Sequence, residues 1–456
     1  MRTPLAERRS LWALAAGRGL PVGRFVGDAL GRVALAELSH GSSIEGSPER
    51  LRGANVLVAS ERQLPAVLAL LQLDGLARRV LLCPPDLPAA YLPSVLAEAE
   101  VDFVLCDGTG PAAAGDFIAC ADHVTPALAW PGGQMQTELV LFTSGTTGRP
   151  KLVVHSLASL TGPLDDGMAI APDAVWSTFY DVRRYGGLQI LLRALLGGAS
   201  MVLSQAGEAV EDFLQRAGEA GVTHISGTPS HWRRALMSGA AGRMRPDYVR
   251  LSGEVADQGI LDQLALAYPR AQIAHAFAST EAGVAFDVRD GLAGFPAGLI
   301  ETQSGQAQMR VVDGSLRIRS TRVASRYLGA AAGIADAEGF VDTGDMVELR
   351  DGRYFFVGRR EGIINVGGAK VRPEEVEAVI NRHPCVQMSR VRGRRSPIMG
   401  ELVVAEIMLR PGHALEEEEI LESCRRELAD YKVPAMLRVV EALEIAASGK
   451  LVRPRA

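Results

Sequence analysis

The sequence is poor in lysine: only four of its 48 basic residues are lysine, and the others are arginine. Lysine carries a compact point charge on a flexible stem, whereas arginine presents a planar fork, so the two are not interchangeable. In a chain that uses arginine for almost every positive charge, a retained lysine is a candidate for a site that needs an ammonium group. The four lysines are Lys151, Lys370, Lys432 and Lys450.

Other scarcities exclude several classes of protein. The five cysteines lack the paired spacing of a zinc site or a disulfide framework, and no stretch approaches the ~20 apolar residues of a membrane span. A formal net charge of −5 gives no basis for nucleic-acid binding. With 47% hydrophobic and 22% charged residues, the composition predicts an ordinary cytoplasmic protein, long enough for two or more cores.

Residues 138–155 hold a loop of small residues between two apolar runs. Leu139–Phe142 has strand character, and the second apolar run begins at Leu152. A loop without bulky side chains lets backbone N–H groups approach phosphate oxygens, and its hydroxyl groups donate further hydrogen bonds. The spacing does not fit a Walker loop, and a surface turn is the alternative interpretation of such a motif on its own. The predicted phosphate-binding residues are Thr143, Ser144, Gly145, Thr146, Thr147, Gly148 and Lys151.

Between Leu139 and Phe286, short apolar runs alternate with amphipathic helical runs. This alternation predicts a mostly parallel sheet that is covered on both faces by helices. Ligands of such sheets bind at the carboxyl ends of the strands, where residues 252–254 and 279–281 would lie. The pattern therefore predicts an α/β fold with a ligand crevice between these two loops.

The pattern changes after about Gly294, where short β-like runs are joined by tight turns at Asp313-Gly314 and Asp351-Gly352. Such turns are typical of antiparallel hairpins, so we expect a small β subdomain. The remaining residues combine strand-like runs with helical ones, including an acidic stretch over 416–430. They predict a compact α+β unit.

Several segments, in this order, resemble the motifs of the acyl-adenylate-forming (AMP-binding) superfamily, which includes acyl- and aryl-CoA synthetases, free-standing adenylation domains and luciferases. The resemblance extends from about Leu139 to Lys450. Besides the phosphate loop, the segments that carry it are 275–281, 341–345, 358–377 and 448–450.

The resemblance implies a division of the chain into domains. Residues 1–357 would form a large N-terminal domain of layered, mostly parallel sheets with the small β subdomain. A hinge would follow over 358–361, with Glu361 as its pivot. Residues 362–456 would form a small mobile α+β domain that carries a catalytic lysine.

The resemblance also implies a two-step reaction. A carboxylic acid is joined to ATP with release of pyrophosphate, and the acyl group then passes from AMP to a thiol, either CoA or the phosphopantetheine arm of a carrier protein. Because the first step brings two anions together, we expect charge neutralisation and positioning to matter more than a general base.

Three residues are implied to be catalytic. Lys450 would bridge the substrate carboxylate and the α-phosphate of ATP, and Thr280 would donate a hydrogen bond to that phosphate. Glu281 would help to hold Mg²⁺, which prefers a carboxylate together with phosphate oxygens and waters.

The remaining nucleotide contacts are implied in the same way. Phe277 would offer an apolar face to adenine, where the family usually has tyrosine, and Ala278 replaces the usual glycine. Asp345 would accept hydrogen bonds from the ribose hydroxyls, and Arg359 would add one. Ser252, Gly253 and Glu254, which the predicted sheet places at the same crevice, complete the predicted ATP and AMP site.

Gly367, Gly368 and Lys370 belong to a loop that the resemblance assigns to the thiol tunnel, where small residues permit close approach. The alternative interpretation is a simple β-turn before a helix.

The acid pocket departs from the family pattern. Residues 180–188 stand in place of the family's Phe-His-x-x-Gly-Leu, and Arg184 falls about where the histidine would be. One hypothesis is that Arg183 or Arg184 meets a second acidic group of the substrate or a phosphate of CoA. The alternative is a helix-start arginine paired with Asp181 or Asp165. The predicted pocket residues are Tyr180, Arg184, Tyr185, His224 and Gly227, with Pro229 beside them.

Three functions remain open at this point. The first is an acyl- or aryl-acid–CoA ligase, and the second is a free-standing enzyme that loads a carrier protein in trans. The third, from a different class, is a non-catalytic nucleotide-binding scaffold of the same fold. The sequence does not rank aromatic against aliphatic acids, and it does not give the oligomeric state.

Overall fold

A computed structural model describes residues 10–17, 23–108, 116–126, 133–143, 149–162, 173–301, 307–330, 333–396, 400–410, 412–413, 417–446 and 450–452. The helices in this part of the chain are α1 (Leu11–Gly17), α2 (Gln63–Leu73), α3 (Leu92–Glu98), α4 (Leu157–Thr161), α5 (Tyr185–Leu196), α6 (Val210–Glu219), α7 (Pro229–Met237), α8 (Gln258–Ala267), α9 (Gly298–Glu301), α10 (Pro373–Ile380) and α11 (Glu417–Glu427).

The strands up to the middle of the chain are β1 (Phe25–Gly27), β2 (Arg32–Ala34), β3 (Gly41–Ile44), β4 (Asn55–Val58), β5 (Arg79–Leu82), β6 (Phe103–Cys106), β7 (Asp116–Pro126), β8 (Glu138–Thr143), β9 (Lys151–His155), β10 (Val175–Thr178), β11 (Ser200–Leu203), β12 (His224–Gly227) and β13 (Tyr248–Ser252). The later strands are β14 (Gln272–Ser279), β15 (Gly283–Val288), β16 (Phe295–Pro296), β17 (Ala307–Val312), β18 (Ser315–Ser320), β19 (Arg326–Tyr327), β20 (Val341–Arg350), β21 (Arg353–Arg359), β22 (Ile364–Val366), β23 (Ala369–Val371), β24 (Val386–Ser396), β25 (Gly400–Leu409) and β26 (Met436–Val439).

The first sheet has the strand order β19-β9-β8-β5-β4-β6-β7-β3. Its strands β8, β5, β4 and β6 run parallel to one another. Helix α2 is buried along its whole length, as expected for a helix with apolar residues all round. Its side chains share one hydrophobic core with those of α5. This core joins the first sheet to the second.

The second sheet has the order β15-β14-β13-β12-β10-β11-β1-β2. Strands β10 to β14 are parallel neighbours, which confirms the alternation predicted from the sequence. Helices α7 and α8 are capped by Thr228 and Asp257, the residues just before them, whose side chains accept hydrogen bonds from His231 N and Ile260 N. The carboxyl ends of β13 and β14 are Ser252 and Ser279. The two predicted loops therefore begin side by side at one edge of the sheet.

A five-stranded antiparallel sheet, of order β16-β21-β20-β18-β17, forms the β subdomain. The two predicted hairpin turns have positive φ at both central residues: +51° and +75° at Asp313 and Gly314, and +47° and +75° at Asp351 and Gly352. Type I′ turns require this geometry, and Asp-Gly supplies it at low cost.

The last sheet, of order β23-β22-β25-β24 with β26 beside β25, packs against α10 and α11 around a core of its own. One 3₁₀ turn, Arg360–Gly362, lies between this unit and β21 and contains Glu361. We call the residues up to Arg359 the N-terminal lobe and those from Ile364 onward the C-terminal lobe. A large α/β lobe followed by a smaller α+β lobe confirms the predicted fold class, whereas the mobility and the hinge stay predictions.

Within the described ranges, no helix is both long enough and apolar enough to cross a membrane.

Candidate active site

The two ends of the predicted phosphate loop lie opposite each other in the first sheet. Thr143 ends β8, Lys151 begins β9, and the two residues are paired in the antiparallel register. The hydroxyl oxygen of Thr143 is buried and has no hydrogen-bond partner among the described residues. Residues 144–148, which include Ser144, Gly145, Thr146, Thr147 and Gly148, lie outside the described residues.

Tyr327 connects the phosphate loop to the predicted metal ligand. The Lys151 ammonium lies 5.1 Å from the centroid of the Tyr327 ring, within cation–π range. The Tyr327 hydroxyl donates to Glu281 Oε1 at 3.3 Å, and burial with the nearby Glu281 carboxylate raises the pKa of Tyr327 to about 12. Sequence reasoning missed Tyr327, because nothing in the two-residue strand Arg326–Tyr327 marks it.

His155 supports the turn that carries Thr280 and Glu281. Its Nε2 donates to the Thr280 carbonyl at 2.7 Å, and its Nδ1 lies 3.0 Å from the Ser159 hydroxyl. Burial lowers the pKa of His155 to about 4, so the imidazole is neutral near pH 7. No role was predicted for His155 from the sequence, although it ends the segment 138–155 that contains the phosphate loop.

The loop after β13 is held by Tyr180. The Tyr180 hydroxyl donates to the Ser252 carbonyl at 2.7 Å and lies 3.0 Å from the Ser252 hydroxyl. Gly253 follows with φ of +85°, a conformation that favours glycine. A Cβ added to Gly253 would lie 3.5 Å from Lys450 Cε. The lysine of the C-terminal lobe therefore reaches the carboxyl edge of the second sheet.

Asp345 and Arg359 are paired across β20 and β21, with Arg359 Nε donating to Asp345 Oδ1 at 3.1 Å. The other oxygen, Oδ2, is buried without a hydrogen-bond partner among the described residues. Burial raises the pKa of Asp345, while Arg359 and Lys450 oppose this shift. An unpaired buried acceptor beside a cation fits a ligand that donates hydroxyl groups.

Lys450 faces acidic side chains from three separate segments. Desolvation by the surrounding protein and the charge of Arg359 lower the pKa of Lys450, and Glu254, Asp345 and Glu281 oppose this shift. Part of the Lys450 side chain nevertheless remains accessible to solvent. Such an ammonium is suited to neutralising anions bound between these carboxylates.

Phe277 belongs to a cluster of stacked aromatic rings. Its ring is stacked on Phe356, with centroids 4.9 Å apart and an interplanar angle of 13°, and on Phe286 at 6.0 Å. Phe277 is only partly buried, which leaves it accessible at the edge of the β14 loop. A hydrophobic ring in this place is compatible with the predicted contact to adenine.

The predicted acid-pocket residues do not form one group. Tyr180 is buried and its hydroxyl is bound to Ser252, as described above. Tyr185 is buried in the core with its ring 5.5 Å from that of His155. His224 begins β12 and lies 4.7 Å from the Trp176 ring, at the amino end of the parallel strands. The structure thus separates His224 from Gly227 at the carboxyl end and does not support its assignment to the pocket.

Gly227 lies at the carboxyl end of β12, where two aromatic rings approach it. A Cβ at Gly227 would lie 2.7 Å from Phe179 Cδ2 and 3.3 Å from His231 Cβ. The rings of Phe179 and His231 are stacked at 5.2 Å with an interplanar angle of 14°. Burial lowers the pKa of His231 to about 3, so the imidazole beside Gly227 is neutral near pH 7. Phe179 and His231 were missed from the sequence.

The two arginines at the start of α5 are paired with acids of the protein. Arg183 is 1% exposed and donates to both oxygens of Asp181, at 2.8 and 2.6 Å. Arg184 precedes α5 and is paired with Asp86. The alternative interpretation, a helix-start arginine paired with an acid, therefore describes both residues, although the partner of Arg184 is Asp86. Asp165 lies outside the described residues.

Family models for two domains match this chain. The model of the AMP-binding enzyme matches residues 51–328, and that of the AMP-binding enzyme C-terminal domain matches residues 375–450. The protein is a member of the AMP-binding enzyme family.

Named relatives and solved structures agree with this membership. The 2-succinylbenzoate–CoA ligase of Salmonella typhimurium is 29% identical over 350 residues, which is 74% of this AMP-binding enzyme and 72% of the relative. The corresponding ligase of Listeria monocytogenes is 27% identical over 378 residues, or 78% and 79% of the two chains.

An anthranilate–CoA ligase in complex with anthranoyl-AMP shares the fold with a TM-score of 0.80 at 18% identity, over 98% of this chain and 96% of that one. The o-succinylbenzoate–CoA synthetase of Bacillus subtilis with its acyl-adenylate gives a TM-score of 0.73 at 20% identity, over 97% of both chains.

The predicted thiol loop of this AMP-binding enzyme is the turn between β22 and β23. Gly367 and Gly368 have φ of +56° and +88°, and Lys370 is exposed on β23. A Cβ added to Gly368 would meet nothing within 4 Å among the described residues. The turn has the glycine conformations of a tight hairpin, and its part in thiol binding stays a prediction.

Few of the described residues could hold a metal ion. The described part of this AMP-binding enzyme contains no group of three or more histidine, cysteine, aspartate or glutamate residues that could hold a metal ion. Mg²⁺ is commonly held by one or two carboxylates with substrate phosphates and waters. The single carboxylate of Glu281, which accepts a hydrogen bond from Tyr327, fits only this kind of site.

Proposed function

We propose that this AMP-binding enzyme activates a carboxylic acid with ATP and transfers the acyl group to CoA. The observation that carries the proposal is the position of Lys450, which comes from the C-terminal lobe and lies against Gly253 at the edge of the second sheet. The charges of Glu254, Asp345 and Glu281 act on this ammonium group, and it is well placed to bring two anions together.

In the first step, a carboxylate oxygen of the acid attacks the α-phosphorus of ATP, the bond to the β-phosphate breaks, and pyrophosphate leaves. Thr143 and Lys151 would hold the β- and γ-phosphates, and Thr280 the α-phosphate. Lys450 would lie between the carboxylate and the α-phosphate. Most of the rate enhancement would come from positioning and charge stabilisation.

The nucleotide would be fixed by the residues around the β13 and β14 loops. The unpaired Oδ2 of Asp345 would accept hydrogen bonds from the ribose hydroxyls, with Arg359 beside it, and Phe277 would cover adenine. Glu281 would hold Mg²⁺ against the phosphates, where the ion neutralises their charge. His155 and Tyr327 would keep the Thr280 and Glu281 turn in place.

In the second step, the sulfur of CoA attacks the acyl carbonyl carbon and AMP leaves. The turn at Gly367 and Gly368 would admit the pantetheine arm, which requires the C-terminal lobe to move. We place the enzyme in the cytoplasm, where ATP and CoA are available.

Named relatives act on 2-succinylbenzoate, and the ring stack of Phe179 and His231 beside Gly227 supports testing aromatic acids first. The second candidate function is delivery of the acyl group to a carrier protein in trans, and a non-catalytic scaffold is the third.

The test is pyrophosphate release with MgATP across aryl, fatty and amino acids, each with and without CoA and with a phosphopantetheinylated carrier protein. We expect turnover with one class of acid that increases when CoA is added, and its loss in Lys450→Ala. Accumulation of bound acyl-adenylate that only the carrier protein discharges would favour the second candidate. No release with any acid would overturn the proposal in favour of the scaffold.

A further inference from the structure

Glu254 connects the two lobes directly. Its Oε2 accepts a hydrogen bond from Ser230 N at 2.9 Å, in the first turn of α7. Its Oε1 accepts a hydrogen bond from Leu451 N, also at 2.9 Å, across 197 residues of sequence. Both oxygens of this carboxylate are therefore used by backbone N–H groups, one from each lobe.

The N-terminal lobe holds the carboxylate firmly. Tyr180 fixes Ser252, Gly253 turns the chain with φ of +85°, and α7 presents an N–H group that lacks a partner within the helix. The side chain of Glu254 is therefore oriented before the C-terminal lobe arrives.

In the C-terminal lobe, the backbone N–H of Leu451 donates to Glu254 and not to a carbonyl of its own lobe. Ile445 and Leu451 form an isolated antiparallel bridge. Ala446 N donates to Lys450 O at 2.8 Å, and Val452 N donates to Glu444 O at 2.9 Å. The N–H of Leu451 lies between these two bonds and points to Glu254 instead.

We propose that Glu254 is a positioning residue that latches the Lys450 segment into the adenylation site, and that its side chain is not a contact of the nucleotide. This inference rests on the proposed function for the role of Lys450. Lys450, which would bridge the two reacting anions, directly precedes Leu451. Loss of the hydrogen bond between Leu451 N and Glu254 therefore lets Lys450 leave its position. A hydrogen bond to a charged group contributes enough to change a rate by roughly 10- to 100-fold.

The first test compares the two half-reactions in Glu254→Ala. We expect kcat for acid-dependent ATP–pyrophosphate exchange to fall roughly 10- to 100-fold, with KM for ATP within about twofold of wild type. Thioester formation from supplied acyl-adenylate and CoA should be unchanged. Glu254→Gln keeps one acceptor oxygen and should lie between wild type and Glu254→Ala.

A matched control separates the latch from loss of a helix cap. At the start of α8, within the N-terminal lobe, Asp257 Oδ1 accepts a hydrogen bond from Ile260 N at 3.0 Å. Asp257→Ala should lower stability without separating the two half-reactions. A rise in the KM for ATP at unchanged kcat in Glu254→Ala would overturn the proposal in favour of a nucleotide contact, and an equal fall in both half-reactions would reduce Glu254 to a structural residue.

The second test removes the donor and leaves every side chain in place. An ester in place of the amide between Lys450 and Leu451 deletes the latched N–H, and it should reproduce Glu254→Ala. In the Glu254→Ala background the ester should have no further effect, because the two changes remove the same bond. The control is an ester between Leu451 and Val452, which removes the N–H of Val452 that donates to the Glu444 carbonyl. Additive effects of Glu254→Ala and the first ester would contradict the latch.

A third measurement does not depend on turnover, so it distinguishes failure of the latch from failure of the proposed function. Leu266 on α8 and Val439 on β26 are exposed, at 84% and 47%, and accept spin labels through cysteine substitutions in a Cys385→Ser background. In wild type we expect one main distance between the lobes, which broadens in Glu254→Ala. An unchanged distribution would refute the latch, even if the wild type proved to lack ligase activity.

Discussion

Tyr180→Phe removes one hydroxyl group that the structure uses inside the protein. Tyr180 and Ser252 are 7% and 5% exposed, and the hydroxyl donates to the Ser252 carbonyl at 2.7 Å. Its loss leaves a buried carbonyl without this donor, which costs about 1–3 kcal/mol. We expect the urea midpoint and Tm to fall accordingly, because phenylalanine fills nearly the same space but cannot donate.

The kinetic expectation separates two roles of Tyr180. If its hydroxyl holds the Ser252 turn, kcat for ATP–pyrophosphate exchange should fall several-fold while KM for the acid stays within about twofold, because the hydroxyl does not reach the acid. If it contacts the acid, as the sequence analysis predicted for the pocket, KM for the acid should rise. Unchanged stability together with a tenfold higher KM would refute the structural reasoning.

Tyr268→Phe is the matched control for this variant. The Tyr268 hydroxyl donates to the Ala241 carbonyl at 3.0 Å, and its ring packs in a hydrophobic core of the same lobe. We expect a comparable loss of stability in Tyr268→Phe with unchanged exchange kinetics. The difference between the two variants then measures what the Ser252 turn contributes to catalysis.

Four further predictions concern other parts of the molecule. Lys450→Ala should lower the adenylation rate roughly 10²–10³-fold and leave thioester formation from supplied acyl-adenylate largely intact, and an equal loss of both would contradict its role. Gly368→Trp should still form acyl-adenylate but not the thioester, as quenched single-turnover reactions would report. His155→Phe keeps the size of the ring but cannot donate, so it should lower kcat for exchange by about tenfold through the lost hydrogen bond to the Thr280 carbonyl, and an unchanged kcat would exclude this support. Burial raises the pKa of Asp74 to about 7, so the folded state binds this proton more tightly than the unfolded state does. The contribution of Asp74 to the free energy of unfolding therefore decreases as the pH rises from about 4 to about 7. Asp74→Asn should therefore exceed wild type by up to about 4 kcal/mol in unfolding free energy at pH 8 and by little at pH 4, whereas parallel stability–pH curves would contradict this.

Much of the fold could be predicted from periodicity. Strands β11 to β14 and helices α6 to α8 alternate along the chain as predicted, because buried parallel strands and amphipathic helices leave clear local patterns. The hairpin turns at residues 313–314 and 351–352 were equally predictable, since Asp-Gly permits positive φ at both positions.

The supports of the site could not be predicted, because they depend on long-range pairing. Tyr327 meets Glu281 across 46 residues, and His155 meets Thr280 across 125. Neither has a local signature. Glu254 was predicted as a nucleotide contact from its position at the end of a predicted strand, but only the fold reveals that both of its carboxylate oxygens accept backbone N–H groups.

Strand direction and burial account for the predicted pocket residues that the structure places elsewhere. His224 and Gly227 are three positions apart, but they lie at opposite ends of β12, and only the carboxyl end reaches the ligand edge. Arg183 is buried against Asp181, and a buried charge requires such a partner. Sequence spacing alone cannot distinguish a side chain that faces a ligand from one that completes the core.

The most direct test of the proposed function is a single-turnover reaction with ATP labelled at the α-phosphate and the acid that the panel identifies. We predict that enzyme-bound acyl-adenylate and free pyrophosphate form before CoA is added, and that CoA then converts the adenylate to AMP and a thioester. Formation of ADP and phosphate, or an acyl-adenylate that CoA does not discharge, would contradict the account.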